Sequence, residues 1–109
     1  MPKDDKTVPL MPNSSRTAGP NVRQEGEVRC SVVVYEVDQK WDDLVAFYDA
    51  ELTHRPGWTR KTHGKGFLWR GPYTEVMLLP IYQTQSELRV GTALDGKQLP
   101  DTGPITRGH

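Results

Sequence analysis

Cysteine is almost missing from this chain. Cys30 is the only one among 109 residues, so no intrachain disulfide can staple the fold. It lies in the apolar run CSVVVY, the setting of a small buried core residue rather than a reactive thiol. Long apolar runs are missing too, and nothing approaches the roughly 20 residues that cross a bilayer as a helix. The opening stretch, MPKDDKTVPLMPNSSRTAGP, has no apolar centre of the kind a signal peptide needs. Read on that basis, the protein is cytoplasmic or a targeting segment was removed ahead of Met1.

Charge of either sign is not in excess. Fourteen basic residues balance fourteen acidic ones, which weakens bulk attraction to nucleic acid or to a membrane surface. There is no phosphate-binding loop, nucleophile elbow or dinucleotide fingerprint. His54 and His63 are the only histidines between residues 27 and 94. Neither HxxxH nor CxxC spacing accompanies them, so no metal site is expected. No cofactor is expected either, and the chain reads as non-enzymatic.

Apolar residues are concentrated between Val28 and Leu94, which predicts a single small domain over residues 27–94. Residues 1–26 are rich in Pro, Gly, Ser and charge, a composition that buries too little to offset its ordering entropy. They are expected to be a flexible segment, with residues 8–12 docking as an extended strand. Residues 95–109 read as a second flexible tail.

Within the domain, Glu27–Val37 alternates as a strand. Val28, Cys30, Val32 and Val34 share one face, and Arg29, Ser31, Val33 and Tyr35 the other. A helix follows, from near Asp38–Trp41 to near Thr53–His54. Trp41, Leu44, Val45, Tyr48 and Leu52 form its apolar stripe, widened by Phe47. Asp38 is the expected N-cap, and Pro56-Gly57 the stop. Strand-like runs Trp58–His63, Phe67–Arg70, Tyr73–Tyr82 and Glu87–Leu94 are separated by turn signals, Gly64-Lys65-Gly66 the clearest. Pro80 marks a bulge or an edge position. One helical stripe needs an apolar sheet face to cover it. The expected fold class is therefore α+β: a two-layer sandwich with one amphipathic helix on a four- to five-stranded, mainly antiparallel sheet, in the order strand, helix, meander.

The residues YEV at the strand end, LVAFY on the helix with Leu52 after it, and Gly57-Trp58 resemble a small domain of uncharacterised bacterial envelope proteins, many of them lipoproteins. Val8-Pro9-Leu10-Met11-Pro12-Asn13-Ser14 is similar to the short segment that opens such domains. The resemblance covers residues 8–93 and implies a helix-on-sheet fold and an extracytoplasmic setting. It implies no activity. The chain lacks the lipidated cysteine of the lipoprotein members, since Cys30 falls inside a strand.

Acids and bases are unevenly placed. No acid occurs between Leu52 and Thr74, where Arg55, Arg60, Lys61, His63, Lys65 and Arg70 are interleaved with aromatics. These six are the candidate binding residues. They point to an anionic partner, either a protein or a polymer. Nucleic acid is disfavoured, because alternation puts Phe67 and Trp69 on one face and Leu68 and Arg70 on the other. Met77, Leu79, Ile81 and Tyr82 are a candidate interface on the second sheet face, for a second copy if nothing covers it. The favoured function is a non-enzymatic accessory or binding module. The alternatives are a small-molecule-binding protein or small enzyme whose cleft gathers His54, His63, Tyr48 and Glu36, and a weak binder of nucleic acid or anionic polymer through residues 54–70.

Overall fold

The computed structural model describes residues 8–82, 84–100 and 103–106. Six strands appear in it: β1 (Ser14–Glu25), β2 (Val28–Val37), β3 (Thr59–His63), β4 (Gly66–Arg70), β5 (Thr74–Tyr82) and β6 (Gln85–Ala93). They form one sheet in the order β1-β2-β6-β5-β4-β3. Every neighbouring pair is antiparallel. A single helix, α1 (Trp41–Leu52), joins β2 to β3. It carries the chain from one side of the sheet to the far outer strand and so crosses one face.

This corrects the fold class expected from the sequence. The molecule is a β-sheet fold of six antiparallel strands with one short helix, not a helix-on-sheet sandwich. The difference comes mainly from β1. Its residues are mostly exposed, so it shows no apolar alternation, and it is held by its ladder to β2, from Ser14↔Val37 to Glu25↔Val28. Residues 14–25, assigned by composition to a flexible segment, are thus part of the sheet. Residues 8–12 dock without joining a strand. Val8 and Met11 pack against the helix-side core.

The helix-side core contains Val37, Leu44, Tyr48, Leu52, Trp58, Trp69, Val76, Leu78 and Leu88, with Tyr35, Phe67 and Val90 at its margin. The helix therefore lies over the Val33, Tyr35 and Val37 face of β2, because the chain enters α1 directly from Val37. A 12-residue helix is marginal in isolation. Burying Leu44, Tyr48 and Leu52, at about 1.5–3 kcal/mol for a large apolar side chain, is what holds it. Asp38 is not the N-cap. Its backbone N–H donates to Asn13 O at 3.0 Å, and Lys40 occupies the cap position with no side-chain bond. Asp42 and Asp43 still lie in the first turn, where the helix dipole favours negative charge. After the helix, Gly57 takes φ 80°, the left-handed conformation that its sequence position predicts. Among the described residues, no helix is long and apolar enough to cross a membrane.

The hydroxyl of Tyr48 joins the helix to the docked segment by donating to Pro9 O at 2.9 Å. Burial pushes this phenol up to about 12 from an ordinary 10.0. The raised value means that the fold favours the neutral form. Its contribution is therefore complete below pH 10 and lost as pH rises toward 12. Tyr48→Phe is expected to lower stability at neutral pH by about 1 kcal/mol, the worth of one hydrogen bond. It should also flatten the alkaline decline. Urea unfolding of both proteins across the alkaline range checks this, with a loss that persists unchanged in the variant assigning the decline to another group.

Candidate functional site

The two-residue turn Gly64-Lys65 closes the β3–β4 hairpin on the pair His63↔Gly66. Gly64 has φ 58°, matching the glycine at the first central position of a II′ turn. The closing pair is hydrogen-bonded, so Thr59, Lys61 and His63 turn their backbone groups to β4. Arg60 and Thr62 turn theirs away from the sheet. β3 is an outer strand, and four of its five residues are exposed.

The six basic candidates do not form one surface. Arg60 pairs with Trp69 in register and lies on the helix face, 3.0 Å from Asp49 Oδ1 and 5.0 Å from the Phe67 ring centre. Arg55 is on the same side, 5.3 Å from the Trp58 ring centre, and donates to Glu51 O. Lys61 and His63 lie on the opposite face, and Lys65 is exposed at the turn. Arg70 is also on that opposite face, but it points into the structure described below. The surface left for a partner along β3 is Lys61, His63 and Lys65.

A short polar chain ties this hairpin to the helix end. Trp69 Nε1 donates to Thr53 Oγ1 at 3.0 Å, and the Thr53 hydroxyl donates to Asp49. The Thr53 hydrogen bond, followed by the nearby Arg60 cation, holds the Asp49 carboxyl below its ordinary range.

The residues of the cleft alternative are not brought together. Tyr48 is in the core, His54 and Glu36 are exposed, and His63 is half-buried at the end of β3. Among the described residues, no group of three or more His, Cys, Asp or Glu side chains is placed to hold a metal ion. Burial raises the Cys30 thiol, which disfavours the reactive thiolate.

The candidate interface is split as well. Met77 is buried, Leu79 half-buried, and Ile81 and Tyr82 exposed at the end of β5. The second sheet face is covered in part by a segment that follows β6, with Ile105 packed against Val28, Cys30 and Ala93, and Leu99 at the margin. The sequence reads residues 95–109 as a flexible tail. The described part instead lies across the sheet.

How that segment is held was not legible in the sequence. Glu75, fully buried, uses Oε2 to accept from Thr106 N at 2.8 Å and Thr106 Oγ1 at 2.5 Å. Three arginines from three strands donate to its carbonyls. Arg23 reaches Ile105 O (3.4 Å), Arg89 reaches Thr106 O (3.0 Å), and Arg70 reaches Gly103 O (3.3 Å) and Pro100 O. Arg70 also stands 3.7 Å from Glu75 Oε1. Gly91 supplies the space. A Cβ there would lie 2.7 Å from Ile105 Cδ1 and 3.0 Å from Thr106 Cγ2. One sequence signal pointed here: a glycine inside an alternating strand often marks close approach of another chain segment.

Comparison with protein-family models, curated proteins and solved structures finds no match to this chain.

Removing the Glu75 carboxylate leaves the buried Thr106 N–H and hydroxyl without their acceptor and takes the counter-charge from Arg70. Glu75→Ala is expected to cost about 3 kcal/mol, the low end for breaking a buried pair. Thr106→Val, which keeps the shape and loses one hydroxyl bond, should cost about 1 kcal/mol. Chemical denaturation of the two variants checks the ranking, and equal losses would show that Glu75 serves only the hydroxyl.

Proposed function

We propose that the protein is a non-enzymatic binding module that receives an extended acidic segment of a partner protein along β3. The observation that carries this reading is the character of that strand. It is outermost and exposed, and it belongs to a stretch, Leu52 to Thr74, that contains no acid. An added strand draws affinity from main-chain hydrogen bonds and specificity from alternate side chains. Arg60 and Thr62 offer the backbone groups, while Lys61 and Lys65 offer charge to an acidic partner. The same cations oppose pairing of β3 with another copy of itself, since like charges would meet. A single-stranded nucleic acid is a weaker fit. Phe67 and Trp69 face the helix and pack in or against its core instead of offering stacking surfaces. The bacterial, extracytoplasmic setting stays part of this proposal on the resemblance alone.

The test uses the isotope-labelled full chain and a short peptide of alternating Glu and Val. Amide shifts are expected along Thr59–His63, with affinity that falls as salt rises. Lys61→Glu combined with Lys65→Glu should weaken binding about tenfold or more. Thr62→Pro, which removes an outward N–H without touching the β4 ladder, should abolish it. Shifts centred elsewhere, or unaltered binding by the proline variant, would overturn strand addition.

A further inference from the structure

We infer that the sheet face opposite the helix is a peptide-binding groove that reads a β-branched apolar residue followed by a hydroxyl residue, and that residues 103–106 fill it in cis. This inference is independent of the β3 surface. It rests on how the occupant is held. Toward this segment, Arg23, Arg70 and Arg89 donate to main-chain carbonyls, a mode of recognition indifferent to side-chain identity. Two features then read identity. The slot over Gly91 admits the branched side chain of Ile105, and the Glu75 carboxylate accepts both the N–H and the hydroxyl of Thr106. A cover that served only to keep the sheet dry would need apolar contact. It would not need three guanidinium groups and a buried carboxylate.

The carboxylate itself points to a ligand. Glu75 Oε1 is buried and has no hydrogen-bond partner among the described residues, with Arg70 paired to it only at 3.7 Å. A buried carboxylate oxygen left without a donor is disfavoured. The cis segment therefore satisfies the groove incompletely, and a peptide offering one more N–H or O–H at that point would satisfy it better.

The segment is also attached in a way that permits release. Its link to β6 passes through Asp95 and Gly96, with φ 63° and 70°. That turn is held by the exposed Arg29–Asp95 pair at 3.1 Å and by Lys97 donating to Glu27 O at 3.2 Å. Such solvent-facing contacts open at low cost, so release turns on the Leu99 N–H bond to Pro72 O at 2.8 Å and on the hold of the groove itself. None of the ladder bonds of the sheet needs to break. A groove occupied by a tethered segment binds an external peptide more weakly by the fraction of time it stands filled.

The experiment uses the full chain and a fluorescent peptide of sequence LPDTGPIT, with a scrambled peptide as control. The double variant Ile105→Asp, Thr106→Ala, whose own segment no longer fits the slot, should bind the peptide at least tenfold more tightly than the unaltered chain and ignore the scrambled one. Adding Gly91→Val, which fills the slot, should remove that binding. Equal binding of both peptides, or no gain in the double variant, overturns the inference. So does unfolding of the double variant, because the segment would then be an inseparable part of the core. Hydrogen exchange on the unaltered chain gives a second reading. Thr106 N–H should exchange well ahead of the β2 and β6 amides, and exchange at their rate would equally overturn it.

Discussion

The pairing of β2 with β6 is the interaction on which the rest of this molecule depends. Eight residue pairs, from Cys30↔Ala93 to Val37↔Ser86, join two parts of the chain about fifty to sixty residues apart. Without them, the β1–β2 hairpin and the β3–β6 meander would be separate ribbons, each too small for its own core. With them, the helix gains a floor drawn from four strands, and the opposite face gains the ground on which residues 99–100 and 103–106 rest. The register also decides what each face can do. Val33 and Tyr35 meet Val90 and Leu88 under the helix side, while Val32 meets Gly91 on the other. Contacts of such long range are costly to close, so this seam is also the natural late step in forming the structure.

Much of the fold was legible because periodicity carries it. The helix stripe and the four strands after it follow from spacing and turn residues alone, within a residue or two at each end. Pro80 inside an apolar run marks a bulge or an edge position. In the structure it lies just past the last β4–β5 pair, at a register shift in β5. What escaped was the part whose stabilisation is not written in apolar residues. β1 is an outer strand with little side-chain burial, so its sequence resembles a linker. The described part of the segment after β6 contributes one well-buried apolar side chain, Ile105, and is otherwise held by the Glu75 carboxylate, a backbone bond from Leu99 and guanidinium groups elsewhere. Counting hydrophobic residues therefore underestimated the sheet and misjudged the fold class. Asp38 shows a smaller version of the same limit. Its residue type suits a cap, but its backbone is already committed to Asn13.

The site was legible only where its residues are contiguous. A run of basic residues between Leu52 and Thr74 is visible in one dimension, yet alternation sends its members to two faces and ion pairing ties down Arg60. The groove is the reverse case. Arg23, Arg70, Glu75 and Arg89 are scattered along the chain. They meet because Arg70 is opposite Glu75, Glu75 opposite Gly91, and Arg23 opposite Cys30 across successive ladders. Only strand order and register reveal such a set, and neither can be read from composition.

The two outer strands are unequal, and that asymmetry limits what the sheet can build. β1 contains Pro20, which has no N–H to give, and its ladder slips between Arg16 and Ala18 and again between Ala18 and Asn21. Its outer rim is therefore a broken line of donors and acceptors. β3 is short but unbroken. Endless stacking of sheets requires two competent rims on every copy, one to receive and one to be received. With a single competent rim, growth by strand addition stops after one event. Two copies meeting there would close on each other about a two-fold axis, against the repulsion of their Lys61 and Lys65 side chains. Under the proposed strand addition at β3, the sheet would serve as a terminus rather than a repeating unit, away from the fibre-forming hazard that long exposed sheets carry.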